Sequence, residues 1–405
     1  MRSFFWVCIA FLIPGLLLRI PVGGAGILAT DIILPIFAVV WLFHKLVISR
    51  FFPKNSFVLP GLIFLAIAFV SLLIGMADLS FTEKILSGAH VVRFFSLLIF
   101  GWSATDLFKD HQEEFFRKLF LIGGIIIGLG VVQFYLIPDI SQWSTEGGWD
   151  PHIGRLLGTW LDPNFMAGFL GFFLPLVIAK WYSRENKKEK FFLAILAAVT
   201  CGALFLTFSR SGYLASATGL FVFFIFKDPK VILLGILVIA IGIGTNERAQ
   251  KRIGELTGTV AAIVLNETDE VDPTASLRIQ SWSRSLELWK KYPIQGIGYN
   301  TYRYRAAEEG IVDENYFSAG GSDSSFLTVL VTTGILGLLV FLWMFVKIGV
   351  VNFLRFFRTK NPIFLGFVAG WCVLFVHGFF VNSLLFPFIL MPFLATAGVL
   401  ETIKK

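Results

Sequence analysis

Arg210, in TFSRSGYLA, and Arg278, in LRIQSWSRSLELWKKYP, are the two residues whose type and setting best suit chemistry. A planar guanidinium offers paired N–H donors that match phosphate oxygens in bidentate fashion. Two of them would make a clamp for a diphosphate. Arg210 falls in so tight a connection between apolar runs that its guanidinium must sit at, or just below, a membrane interface. A cation at a helix centre costs about 2.5 to 3.5 kcal/mol by insertion scales, and far less where it can snorkel. The plain alternative is therefore a snorkelling interfacial arginine. Ile279, Trp282, Leu286 and Trp289 recur at three- and four-residue spacing, which predicts an amphipathic helix with Thr274 or Ser276 as cap and Pro293 as stop. At about 100° per residue Arg278 lies at the edge of that stripe and Arg284 opposite it. Arg278 is the one expected to be held inward.

Other candidates complete the set. Asp323, in GGSDSSFLTVLVTTGILG, stands where chain re-enters an apolar run, and a carboxylate in a low-dielectric site there could accept a proton from a hydroxyl nucleophile. The plain alternative is that Asp323 and Ser324 cap the following helix. His152 is a competing base. Arg155, in IGRLLGTWLDPN, is a third arginine for substrate binding or structure, and Trp282, Tyr299 and Tyr302 could line a sugar path or pack their loop. His90 and Arg93 share a helix face. Asp269, Glu270 and Asp272 loosely resemble a carboxylate site, but the run has no paired histidine and reads as solvated loop; no metal site is expected. GIGYN at Gly296 reads as a turn rather than a phosphate loop, lacking the following Lys and helix. Asn266-Glu267-Thr268 fits an acceptor sequon by pattern alone.

The elements that position these residues are membrane helices. The 405 residues are 56% hydrophobic with 46 Phe and a mean hydropathy of +0.78, beyond the range of soluble domains. Runs near the required length of about 20 residues occur at 3–19, 27–48, 56–76, 85–104, 119–138, 164–182, 191–208, 212–226, 231–245, 324–346, 362–380 and 382–402. The expected architecture is an all-α integral membrane protein of about twelve transmembrane helices, residues 1–405 forming one domain. It carries a medium loop at 139–163 and a large, helix-containing loop at 246–323. With an inside amino terminus, the inside ends and short loops hold twenty of the thirty-four Lys and Arg residues, so both termini are expected in the cytoplasm and the large loop outside. That loop holds nine Lys and Arg residues, which points to an anionic partner. The net charge of +7 is largely this topological signal, and nucleic acid is not expected as a partner. The basic, apolar opening Met1 to Thr30 reads as a retained first helix. The three cysteines all fall in apolar runs without metal-type spacing.

In order, GRLLGTWLDPNFMAGFL, TFSRSG at a tight turn, RIQSWSRSLELWKKYPIQGIGYNTY in a large loop and DSSFLTVLVTTGILGLLVFL resemble the O-antigen ligase and polymerase family of bacterial envelopes, from about Gly154 to Phe345. The resemblance implies a multispan GT-C type glycosyltransferase of the bacterial cytoplasmic membrane, taking a glycan from undecaprenyl pyrophosphate. Ligases pass it to the lipid A core; polymerases pass it to another lipid-linked repeat. It maps diphosphate binding onto Arg210 and Arg278, which would supply the cations without a metal or other cofactor. Where ligases usually show a histidine, this chain reads Ser322, Asp323, Ser324. A lipid-linked oligosaccharide flippase or transporter and a noncatalytic envelope scaffold are the competing readings. A flippase should hold its cations in a cavity within the spans, where this chain has little beyond Arg93.

Overall fold

The computed structural model describes residues 1–22, 25–75, 78–141, 152–245, 247, 250–251, 254, 273–310 and 321–403. The protein is an all-α membrane protein. Its helices are α1 (Arg2–Ala10), α2 (Thr30–Phe43), α3 (Val58–Gly75), α4 (Phe81–Leu107), α5 (Gln112–Leu136), α6 (Pro163–Tyr182), α7 (Lys187–Leu206), α8 (Arg210–Lys227), α9 (Lys230–Gly244), α10 (Pro273–Lys291), α11 (Tyr302–Glu308), α12 (Ser325–Thr359), α13 (Pro362–His377) and α14 (Pro387–Leu400). Among the described residues the only sheet is a hairpin, β1 (Arg19–Val22) on β2 (Ala25–Leu28), with Arg19 opposite Leu28.

Seven described helical segments are long and apolar enough to cross a membrane: Thr30–Ser49, α3, α4, α5, α6, α7 and α12. Helices α13 and α14 are apolar but shorter. The apolar runs outlast the helices for local reasons. The run at 3–19 breaks at Gly15, whose φ of +54° turns the chain. A Cβ there would stand 2.6 Å from Trp160. Prolines at the first turn open α6, α13 and α14, where the missing N–H costs nothing.

Helix α13 packs along both α6 and α8. Glycine makes the crossings possible. A Cβ on Gly171 of α6 would fall 2.4 Å from Ser216 Oγ, and one on Gly219 of α8 would fall 2.4 Å from Val373. Without a hydrophobic force between helices in lipid, such close backbone approach is what holds them. This three-helix core supports the candidate site at one end, called here the site end.

Helix α12 is broken at Gly334, with φ 70° and ψ −174°. The segment after α10 fills the break: Ile297 and Gly298 N–H donate to the carbonyls of Val331 and Thr332 at 2.9 and 3.2 Å, and Ile335 N–H donates to Pro293 O at 2.9 Å. Ser71 Oγ lies 2.6 Å from both Gln295 O and Thr332 O. Irregular backbone among apolar helices is tolerated only where such partners satisfy it. GIGYN is thus a turn, as its composition suggested, but one seated against a split helix.

Candidate functional site

The SRSG turn is built as a helix start. Ser209 caps α8, its Oγ accepting from Gly212 N–H at 3.3 Å, so Arg210 is the first helical residue. The same Oγ donates to Asn164 Oδ1 at 2.8 Å. Asp162 caps α6 by accepting from the N–H groups of Asn164 and Phe165. On the other side Ser211 Oγ lies 3.4 Å from Nε2 of His377, the last residue of α13. Arg210 itself is half-buried.

Helix α12 starts in the same corner. Ser324 is its cap, accepting from Leu327 N–H at 3.4 Å, and Ser325 N–H donates to Gly378 O at 2.8 Å. The cap therefore belongs to Ser324, which leaves the Asp323 carboxylate out of it. The starts of α6, α8 and α12 thus converge, and each contributes the positive end of a helix dipole.

Helix α10 brings Arg278. Its inner face carries Arg278, Ser281, Trp282, Ser285, Leu288 and Trp289, all buried or half-buried, whereas Arg284 and Leu286 are exposed. Arg278 therefore sits on the inner face itself rather than at its edge, and the expected stripe was misphased at Leu286. The helix starts at Pro273, so Thr274 and Ser276 lie within it rather than capping it. Ser281 Oγ accepts from Asp323 N–H at 3.2 Å, and Trp282 Nε1 donates to Asp323 O at 3.3 Å. Burial pushes the Asp323 carboxyl above its ordinary value; the nearby Arg278 charge opposes this and Asp162 adds to it. Arg278 also lies within electrostatic reach of His377.

Residues 193–342, which include Arg210, Arg278 and Asp323, match the family model described as O-Antigen ligase. That stretch is similar to the O-antigen ligase family. No curated protein matches the chain. The match takes in most of α7, all of α8, α9, α10 and α11 and the first half of α12, and leaves Arg155 and His377 outside the matched stretch.

The remaining expected residues divide. Arg155 donates from Nε to Thr207 O at 2.8 Å, and from a terminal nitrogen to Phe208 O at 3.4 Å and Asn164 Oδ1 at 3.5 Å. It braces the turn. His152 lies by Asp162 and Arg155, and burial lowers its imidazole to about 4, leaving it neutral near pH 7. Tyr299 and Tyr302 are 7% and 2% exposed. Tyr299 packs edge-on to Phe64, and Tyr302 hydroxyl lies 3.0 Å from Ser285 Oγ. Both rings pack the loop onto the bundle, the second of the two roles considered for them. Trp282, by contrast, is half-buried beside Asp323. Arg93 pairs with Asp31 through two contacts of 2.5 Å, and His90 Nδ1 lies 2.8 Å from Asn300 Nδ2 and 3.0 Å from Leu86 O. Asn266, Asp269, Glu270 and Asp272 lie outside the described residues.

Cavities of about 620 and 730 Å³ open at the opposite end, around Glu113, Lys180 and Arg184. Within them Lys180 pairs with Glu113 at 2.6 Å and Arg184 with Glu189 at 2.9 Å. The starts of α5 and α13 line the first, and those of α5 and α7 the second. His377 is the site residue that sequence reasoning missed. Its one signal was a histidine followed by Gly-Phe-Phe at the close of an apolar run.

Proposed function

We propose that the protein transfers a glycan from an undecaprenyl-pyrophosphate-linked donor to a sugar hydroxyl, as an O-antigen or exopolysaccharide polymerase or ligase. The O-antigen ligase match supports membrane glycosyl transfer in general. The observation that carries the finer reading is the convergence of three helix starts around Arg210, with Arg278 turned into the same corner on α10. A leaving diphosphate needs that positive environment. The acceptor hydroxyl oxygen attacks the anomeric carbon with inversion, the bond from that carbon to the phosphate oxygen breaks, and the diphosphate departs with the electron pair. Arg210 and Arg278 stabilise its charge, and Asp323 takes the hydroxyl proton. Cations supplied by guanidiniums make the reaction independent of a metal or other cofactor. Arg155 acts at one remove, bracing the turn that presents Arg210.

In the same reading the seven long apolar helices are joined by α1, α8, α9, α13 and α14 in a twelve-span domain of residues 1–405, with both termini in the cytoplasm. The loops at 139–163 and 246–323 then face the side where lipid-linked glycans are assembled. Asp323, where ligases usually carry a histidine, tilts the reading toward a polymerase and a lipid-linked acceptor. A flippase gains no support from Arg93, whose charge is met by Asp31 within the bundle. Mass analysis of lipid-linked glycan after removal of the gene tests the reading. Accumulated single repeats indicate a polymerase, accumulated finished chains indicate a ligase, and an unchanged profile contradicts both.

A further inference from the structure

His377 joins the two halves of the site through a directed chain of buried hydrogen bonds. Ser325, at the start of α12, donates to Val381 O at 2.9 Å, and Ser383 Oγ reaches the same carbonyl at 3.4 Å. His377 Nδ1 lies 2.8 Å from Ser383 Oγ, and Nε2 lies 3.4 Å from Ser211 Oγ. With the Ser383 hydroxyl donating onward to Val381, Nδ1 carries the proton and Nε2 is an acceptor for Ser211, whose Oγ also lies 3.3 Å from Ser209 Oγ. His377, Ser383 and Ser325 are fully buried, and Ser211 is 7% exposed. A satisfied polar network in such surroundings specifies one arrangement, since any lost link leaves a buried polar group unmet. Gly168 leaves the imidazole its place: a Cβ there would stand 3.0 Å from His377 Nδ1.

We propose that His377 is a positioning residue: it sets the register between the SRSG turn, hence Arg210, and the α12 start that carries Asp323. This rests on the reading of Arg210 as a diphosphate ligand. It touches no reacting atom in that reading. Its effect should pass through Arg210, so the two residues should not act independently.

The test is a mutant cycle on the full chain in lipid nanodiscs, reading affinity for undecaprenyl diphosphate with no acceptor present. His377→Asn keeps the donor toward Ser383 and loses the acceptor toward Ser211; Ser211→Ala removes the same link with one atom deleted. Each should weaken binding about tenfold, the order of one lost neutral hydrogen bond, and neither should weaken it further in an Arg210→Ala background. Equal loss in both backgrounds, or no loss from either variant, overturns the proposal. If Arg210→Ala alone binds as the unaltered protein does, the diphosphate clamp fails and the proposal falls with it. If Arg210→Ala weakens binding while Ser211→Ala does not, the proposal fails alone.

Discussion

The indole Nε1 of Trp282 donates to the backbone carbonyl oxygen of Asp323 at 3.3 Å. Through this bond the helix that carries Arg278 is tied to the residue proposed to take the acceptor's proton. Replacing Trp282 separates the tie from the packing. Trp282→Phe keeps a ring against Phe380, 6.1 Å away in the parent, and loses the N–H donor with the rest of the indole. It should cost about 0.5 to 1.5 kcal/mol of transition-state stabilisation. Trp282→Ala frees the end of α10 and should lower the transfer rate about 10²-fold, the penalty for ångström-scale misplacement. Rates for both variants, normalised to folded protein, check the difference.

The pH dependence should follow Asp323. Its carboxyl is raised chiefly by burial, so the base form is lost at a higher pH than for an exposed aspartate, and activity falls as pH drops through that raised value. Asp162 adds to the elevation. Asp162→Asn, which keeps a side chain able to cap α6, should move the acid limb of the kcat/KM profile to lower pH. A limb that stays put would show that another group is titrating. The stability sign is opposite. A carboxyl raised in the fold destabilises it when ionised, so its contribution is lost as pH rises from the ordinary aspartate value through the folded one. Asp323→Asn should remove that slope while abolishing most transfer.

Gly334 should tolerate no side chain. Its φ of +70° disfavours other residues, and an ideal Cβ would lie 1.9 Å from Ile294 O. Gly334→Ala should cost about 1 to 3 kcal/mol from backbone strain alone, with the clash in addition. Because Ile294 belongs to the segment that ends α10, folded protein should also transfer more slowly. Thermal unfolding in detergent and the rate per folded molecule report the two effects.

The Arg93–Asp31 pair should matter to stability rather than turnover. Its side chains are 17% and 14% exposed. Removing one partner of a buried pair costs about 3 to 5 kcal/mol because a charge is left unmet. Asp31→Asn should therefore lower the unfolding midpoint clearly, and Asp31→Asn with Arg93→Gln should recover most of it. Transfer per folded molecule should stay near the parent value in the double variant.

Much of the architecture was legible because lipid imposes long apolar runs and the residue period of α10 marks its phase. What hydropathy hid is instructive. The inner face of α10 is partly polar, with Arg278, Ser281 and Ser285 turned inward, so a search for apolar stripes chose Leu286 although Leu288 is the buried leucine. The break at Gly334 lies inside an unbroken apolar run and is satisfied by backbone from Pro293 to Gly298, which leaves no mark in side-chain character. His377 meets Ser211 across 166 residues of chain; no local pattern announces such a pair. Arg210 stood out because its tight connection between apolar runs confines it to a membrane interface. Its bracing by Arg155, through the carbonyls of Thr207 and Phe208, emerges only from the packed ends of α6, α7 and α8.

Glycosyl transfer by the purified chain tests the central claim most directly. The protein, reconstituted in vesicles, is given an undecaprenyl-pyrophosphate oligosaccharide and a sugar acceptor, and new glycosidic bonds are counted by mass spectrometry. The unaltered protein should form them, while folded Arg210→Ala and Arg278→Ala should each lose about 10²- to 10³-fold, the scale for one missing transition-state donor. Bond formation at the parent rate by either variant, or movement of the lipid across the vesicle with no new bonds, would contradict the account.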